Sequence, residues 1–174
     1  MSRNTVIREI FSWVIVVLSG VGAAFLLGHY VIVNATVPSG SMLNTIQEES
    51  RIVAFRLSYL FSEPERLDVI VFKYPDNEEK LYVKRIIGLP GDYVEIKSGK
   101  VFINGTELED ETYISSVKVE NMGPFIVPED SYFMLGDNRR NSEDSRSWRN
   151  TFVEKDKILG KVIFSYFPSI RSIK

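Results

Sequence analysis

The sequence predicts a mostly β protein: an antiparallel, coiled or barrel-like domain held behind one N-terminal transmembrane helix. Three observations predict it. Residues 11–33 form an apolar run of 23 residues with no formal charge. Seven short segments rich in β-branched and aromatic residues follow, separated by Pro, Gly, Asn and Asp turn formers. Between two of these segments stands Asn104-Gly105, a strong two-residue hairpin signal.

The anchor comes first. At about 1.5 Å per residue, the run 11–33 crosses a hydrocarbon core of roughly 30 Å. Its clearly polar members are Ser12, Ser19 and His29, and His29 reads as an interfacial or packed residue. A cleavable leader would have a shorter apolar core and a small-residue exit, for which Asn34-Ala35-Thr36 is a poor candidate. Arg3 and Arg8 precede the run, whereas residues 34–50 contain Glu48 and Glu49 and no Lys or Arg. The positive-inside rule therefore expects residues 1–10 in the cytoplasm, 11–33 in the cell membrane as a single pass, and a β domain, 36–174, on the extracytoplasmic side.

Within that domain the strands are expected at Arg51–Arg56, Val69–Tyr74, Leu81–Ile87, Tyr93–Lys97, Lys100–Ile103, Ser131–Leu135 and Lys161–Phe167. Pro75-Asp76-Asn77, Pro90-Gly91-Asp92 and Ser98-Gly99 supply the turns. Asn104-Gly105-Thr106 also matches a glycosylation acceptor, but the turn accounts for it. Residues 106–130 alternate poorly and are acidic, so loops and a minor strand are expected there.

Composition excludes several classes. The chain has 21 basic and 23 acidic residues. Without Arg3, Arg8 and Glu9 the remainder holds 19 and 22, a net of −3, with no basic stripe for nucleic acid. There is no cysteine, hence no disulfide framework and no thiol nucleophile. One histidine and no HExxH make a zinc hydrolase a poor fit, and no cofactor is implied.

Three segments carry chemistry. Lys84 lies in Leu81-Tyr82-Val83-Lys84-Arg85-Ile86-Ile87, where strand alternation puts it on a face with Tyr82 and Ile86. A buried lysine loses its proton more easily, and a neutral lysine is a general base. Val37-Pro38-Ser39-Gly40-Ser41-Met42 follows the anchor. Pro38 stiffens the approach, Gly40 permits an unusual backbone angle, and the hydroxyls flanking it suit a nucleophile and an oxyanion donor. Gly136-Asp137-Asn138-Arg139-Arg140-Asn141-Ser142-Glu143-Asp144-Ser145-Arg146 follows an apolar strand and reads as a loop held by hydrogen bonds and ion pairs.

Together these segments resemble the signature boxes of the bacterial type I signal peptidases (the leader peptidases), serine endopeptidases with a Ser–Lys dyad. Arg66-Leu67-Asp68-Val69-Ile70-Val71-Phe72 is similar to a further strand box of that family, and the single anchor is similar to its compact form. The resemblance implies Ser41 as the acylated nucleophile and Lys84 as its general base. It implies Ser39 and the Ser41 backbone N–H as the oxyanion hole, and Ser142 as the hydroxyl that orients the lysine amine. Asp144 with Arg146, and Asp137 with Arg85, are implied as ion pairs supporting the site. Arg140 stands where the family commonly has an acid, and Asn44 where a proline often follows the nucleophile loop.

The same resemblance implies removal of signal peptides from exported preproteins, cut after small residues of the A-x-A kind. Ser41 is eight residues beyond Val33, so the nucleophile is expected near the outer face of the lipid bilayer. Leu57, Tyr59, Leu60 and Phe61, with Phe164, Tyr166 and Phe167, are candidates for membrane contact or for core. Two other readings remain at this stage. One is a Ser–Lys autoprotease of the repressor type; the other is a non-catalytic tethered β domain that binds a partner.

Overall fold

The computed structural model describes residues 3–109 and 113–173. Helix α1, Arg3–Leu26, contains one stretch long and apolar enough to cross a membrane, Ile7–Leu26, with mean hydropathy 2.0 and no buried residue. The apolar run does not remain helical to its end. A wider π-type turn over Leu27–Val31 leads directly into strand β1, Ile32–Val37. The side chain of His29 lies outside the described residues.

β1 was hidden from the sequence by its neighbours. Ile32 and Val33 extend the apolar run, yet in the fold Val33 and Val37 point inward while Asn34 and Thr36 point out. Pairing with β2, Ser50–Phe55, imposes that alternation, with Ile32 opposite Phe55 and Val37 opposite Ser50. The chain continues through β3 (Val69–Tyr74), β4 (Asn77–Gly88), β5 (Tyr93–Lys97), β6 (Lys100–Ile103), β7 (Thr106–Glu107), β8 (Met122–Ile126), β9 (Ser131–Leu135), β10 (Val153–Glu154), β11 (Ile158–Phe167) and β12 (Arg171–Ser172). β3, β5, β6 and β9 have the limits expected from their turn residues. β4 and β11 begin earlier than expected. The expected loops with one minor strand hold two short strands, β7 and β8, and residues 110–112 of that segment lie outside the described residues.

Two antiparallel sheets result. The larger runs β1-β2-β11-β3-β4-β9-β10, with β12 added on β11; the smaller runs β7-β6-β5-β8. β3, β4 and β9 are covered on both faces. Val69 and Val71 face one apolar cluster with Met42, Ile46 and Ile52, while Ile70 and Phe72 face another with Ile86, Met134 and Trp148. Phe133 and Leu135 turn toward a third cluster under the small sheet, with Val94, Ile96 and Val101. Strands buried on both faces read as continuous apolar runs, which is how Val69–Tyr74 and Ser131–Leu135 stand out in the sequence. In this frame Lys84 lies opposite Ile70 and Arg85 opposite Leu135, at the centre of the large sheet.

Candidate active site

The site forms where three loop-bearing elements meet. Ser41 sits in a single 3-10 turn, Gly40–Met42, which follows β1 and packs against β4. Met42 is fully buried and anchors the turn in the core, while Ser41 is 6% exposed. Ser39 Oγ lies 3.3 Å from Ser41 Oγ. Gly40 does not use the left-handed freedom that a glycine permits. The constraint there is spatial and mild, since a Cβ would meet Leu43 Cδ1 at 2.9 Å, the end of a flexible side chain.

Asn44 explains its own departure from the family pattern. Its φ is 77°, a left-handed angle that Asn tolerates and that a proline ring, locked near −65°, cannot reach. The turn is tied down by other means. The Arg171 guanidinium donates to Asn44 O at 3.0 Å, Ile46 N–H donates to Met42 O at 2.7 Å, and the Thr45 hydroxyl donates to Asp137.

Lys84 is 3% exposed. Burial pushes its ammonium down from 10.5 to about 8; the carboxylates of Asp144, Glu143 and Asp137 pull the other way, and Arg146 adds to the lowering. Its Nζ stands 5.7 Å from the centre of the Tyr82 ring. Tyr82 in turn stacks on Tyr74 at 4.4 Å and meets Trp148 edge-on at 6.0 Å. Burial away from water disfavours the charged ammonium, which is the physical origin of the lowered basicity.

The loop after β9 closes on itself and on the Gly40–Met42 turn. Arg146 grips Asp144 with two hydrogen bonds of 2.8 Å, and Asp144 Oδ2 also accepts Gly136 N–H at 3.1 Å. Arg146 reaches Glu120 at 2.5 Å and the Arg139 carbonyl at 2.8 Å. Arg85 forms a second two-pronged pair, 2.9 and 2.7 Å to Asp137, with both residues buried; it also donates to Leu67 O and lies 4.1 Å over the Tyr113 ring. Two such pairs hold both ends of one loop, and neither points a charge into solvent. The Arg140 side chain is exposed and its backbone N–H meets Ser116 Oγ at 3.4 Å, so this departure from the family falls on the surface.

Ser142 does not reach the lysine in this arrangement. Its hydroxyl is buried without a hydrogen-bond partner among the described residues, packed against Gly136. A Cβ on Gly136 would collide with Ser142 and lie 2.6 Å from Ser41 O. The glycine is what lets the loop approach the Gly40–Met42 turn.

Asn138 was quoted in the sequence motif without a role, and the structure gives it one. Its backbone N–H donates to Ser41 O at 3.0 Å, its side-chain amide donates to Gly40 O at 3.0 Å, and its Oδ1 accepts from Ser116 Oγ at 2.5 Å. In a trans peptide the N–H points opposite to the C=O. Holding Gly40 O therefore turns the Ser41 N–H to the other side, where an oxyanion donor would be needed. Thr45, Ser116 and Glu120 were missed as well, because they come from segments whose proximity only the fold creates. A cleft of about 1260 Å3 lined by Arg56, Tyr59, Phe152, Lys155 and Ile158 includes none of the site residues.

Known proteins similar to this chain identify its family. A family model described as signal peptidase, peptidase S26, matches residues 10–167. The chain is 42% identical over 137 residues to a probable signal peptidase I-2 of Synechocystis sp., covering 76% of this chain and 62% of that protein. It is 33% identical over 172 residues to signal peptidase I S of Bacillus subtilis, covering 92% and 91%. A crystal structure of a signal peptidase I from Enterococcus faecalis superposes with a TM-score of 0.50 at 32% identity, over 57% of this chain and 97% of that one. The chain thus spans about three fifths of the length of the Synechocystis protein and nearly all of the Bacillus protein. With the family model spanning most of its length, the chain belongs to the signal peptidase family, peptidase S26.

Proposed function

We propose that this chain is a membrane-anchored serine endopeptidase that removes N-terminal signal peptides from exported preproteins, cutting after small residues. The observation that carries the reading is Lys84: an amine almost fully buried, with its basicity lowered to about 8, on the strand against which the Ser41 turn packs. A structural lysine is usually exposed and fully protonated. A base needs the opposite, a pKa near the working pH.

The chemistry follows from those groups. Neutral Lys84 takes the Ser41 proton as Oγ attacks the peptide carbonyl. Negative charge develops on the carbonyl oxygen and is met by the Ser41 N–H, aimed by Asn138, and by the Ser39 hydroxyl. One such donor is typically worth about 3–4 kcal/mol in the transition state. Lys84 then passes its proton to the departing amine, and an acyl-enzyme on Ser41 remains. A water, deprotonated by the same amine, attacks the ester and restores the serine. Ser142, whose buried hydroxyl has no hydrogen-bond partner among the described residues, must turn toward the amine to orient it in these steps. Asp144 with Arg146 and Asp137 with Arg85 keep the loop shut behind them.

The same reading places residues 1–10 in the cytoplasm, because Arg3 and Arg8 flank the inner end of the helix, and puts the β domain outside. The family match favours neither a repressor-type autoprotease nor a non-catalytic tether. The test is processing of a preprotein in membranes free of host peptidase, comparing the parent with Ser41→Ala and Lys84→Ala. Turnover is expected to vanish in both variants with folding retained. Cleavage by the Ser41→Ala protein would refute the nucleophile assignment.

A further inference from the structure

The carboxylates of Asp144, Glu143 and Asp137 all act on the Lys84 amine. Two of the three are engaged elsewhere. Asp144 is held by Arg146 at 2.8 Å, and Asp137 by Arg85 at 2.7 Å, both carboxylates being fully buried. Glu143 is different. It is exposed, and among the described residues its carboxylate makes one hydrogen bond, accepting from the Tyr82 hydroxyl at 3.4 Å. A carboxylate at the surface with no cation of its own remains available to one brought by a ligand.

Its position is fixed on both sides. Tyr82 is half-buried, stacked on Tyr74 at 4.4 Å and edge-on to Trp148 at 6.0 Å. The Lys84 Nζ stands 5.7 Å from the centre of the Tyr82 ring, and the hydroxyl of that ring holds Glu143. One aromatic ring thus links the amine to the carboxylate. Along the chain Glu143 lies between Ser142, whose hydroxyl is buried, and Asp144. Asp76, the other carboxylate beside this aromatic pair, accepts the Arg149 and Asn150 N–H groups at 2.8 Å each and the Tyr74 hydroxyl at 3.1 Å. It is engaged by the fold, which leaves Glu143 as the carboxylate open to a partner.

Lys84 hands its proton to the departing amine, so the chain beyond the cut leaves past Lys84. At about 3.3 Å per residue, the first three residues of that chain lie within roughly 10 Å of the amine. We propose that Glu143, held by Tyr82, is a specificity residue that favours a basic side chain among the first three residues after the cut and disfavours an acidic one. The inference rests on the peptidase reading above. Exposed charge pairs contribute modestly and are screened by salt. The expected selectivity between Lys and Glu is therefore about fivefold, a preference and not a requirement.

The test uses the purified full chain in phosphatidylcholine vesicles, whose lack of net charge concentrates no peptide. Synthetic peptides spanning an A-x-A cleavage site carry Lys, Ala or Glu at each of the first three positions after the cut, and kcat/KM is measured for each. For the parent, Lys is expected to exceed Glu by about fivefold at one or more of these positions, and added salt to shrink the ratio. Glu143→Gln is expected to bring the ratio to within about twofold of one, and Glu143→Lys to invert it. The ratio separates selectivity from tuning of the amine. Removing the carboxylate also lowers the basicity of Lys84, but that change multiplies the rate on every peptide alike and cancels in the ratio. Lys80 and Arg140, both exposed, are present in all three proteins and cannot produce the difference between them. A parent ratio within about twofold of one at all three positions overturns the proposal. So does a ratio that Glu143→Gln leaves unchanged. A parent that cleaves none of the peptides overturns the peptidase reading and the proposal together, whereas equal cleavage of all of them overturns the proposal alone.

Discussion

The basicity of Lys84 gives the most demanding test of the site. Catalysis requires the neutral amine. With a value of about 8, about one molecule in ten carries it at pH 7; at the ordinary 10.5 the share would be about three in ten thousand. Burial thus raises the competent fraction about 300-fold at neutral pH. The same burial costs stability. Below about pH 8 both folded and unfolded chains hold the proton, and the full penalty of about 3 kcal/mol applies. Between about 8 and 10.5 the folded chain releases its proton first, so the unfolded state binds more protons and stability climbs with pH. Above that range the penalty is gone. Replacing Lys84 by methionine, of similar length and uncharged, removes the penalty at every pH. We expect kcat/KM of the parent to rise through an acid limb near 8. In denaturant titrations, Lys84→Met should be more stable than the parent by up to about 3 kcal/mol at pH 7, and the advantage should shrink to nothing by about pH 10.5. An acid limb near the free lysine value, or a Lys84→Met protein less stable than the parent at neutral pH, would show that the amine is solvated and the reasoning wrong.

Other outcomes follow from the same contacts. Glu143 is exposed and its charge raises the Lys84 value, so Glu143→Gln should move the acid limb of kcat/KM slightly downward, and added salt should shrink the difference between the two proteins. Gly136→Ala places a methyl 2.6 Å from Ser41 O and against Ser142, so we expect about a hundredfold loss of kcat and about 1–3 kcal/mol of stability, read from single-turnover kinetics and denaturant titration. Asn138→Ala frees the Gly40 carbonyl and is expected to lower kcat by about tenfold or more with little change in KM, since the donor it aims acts only on the developing oxyanion. Arg85→Met leaves Asp137 buried without its partner and should cost about 3–5 kcal/mol, whereas adding Asp137→Leu should recover much of that loss.

Several parts of the site were legible before any fold was known. Lys84 could be placed on an apolar face because side chains alternate along a strand, and Tyr82 and Ile86 share that face in the structure. The loop 136–146 announced its own ion pairs through the density of opposite charges among turn formers. The reason for Gly40 was not legible. A sequence shows that a glycine is present, but a steric need and a conformational need look the same until the neighbours are known. β1 was absorbed into the anchor because a composition window registers Ile32 and Val33 only as apolar, whereas the strand they open is defined by its partner β2.

From its sequence alone the chain carried its class: an apolar helix, strands bounded by turn residues, and three short motifs whose residue types suit a serine nucleophile served by a lysine base. Those are local properties, set by propensity and by spacing along the chain. The working site is not local. Asn138 meets Gly40 across 98 residues, and Asp137 meets Arg85 across 52. The burial that lowers Lys84 is set by the strands packed around it, not by its neighbours in sequence. Desolvation and hydrogen-bond direction depend on what surrounds a group in three dimensions, and only the packed sheets supply those surroundings.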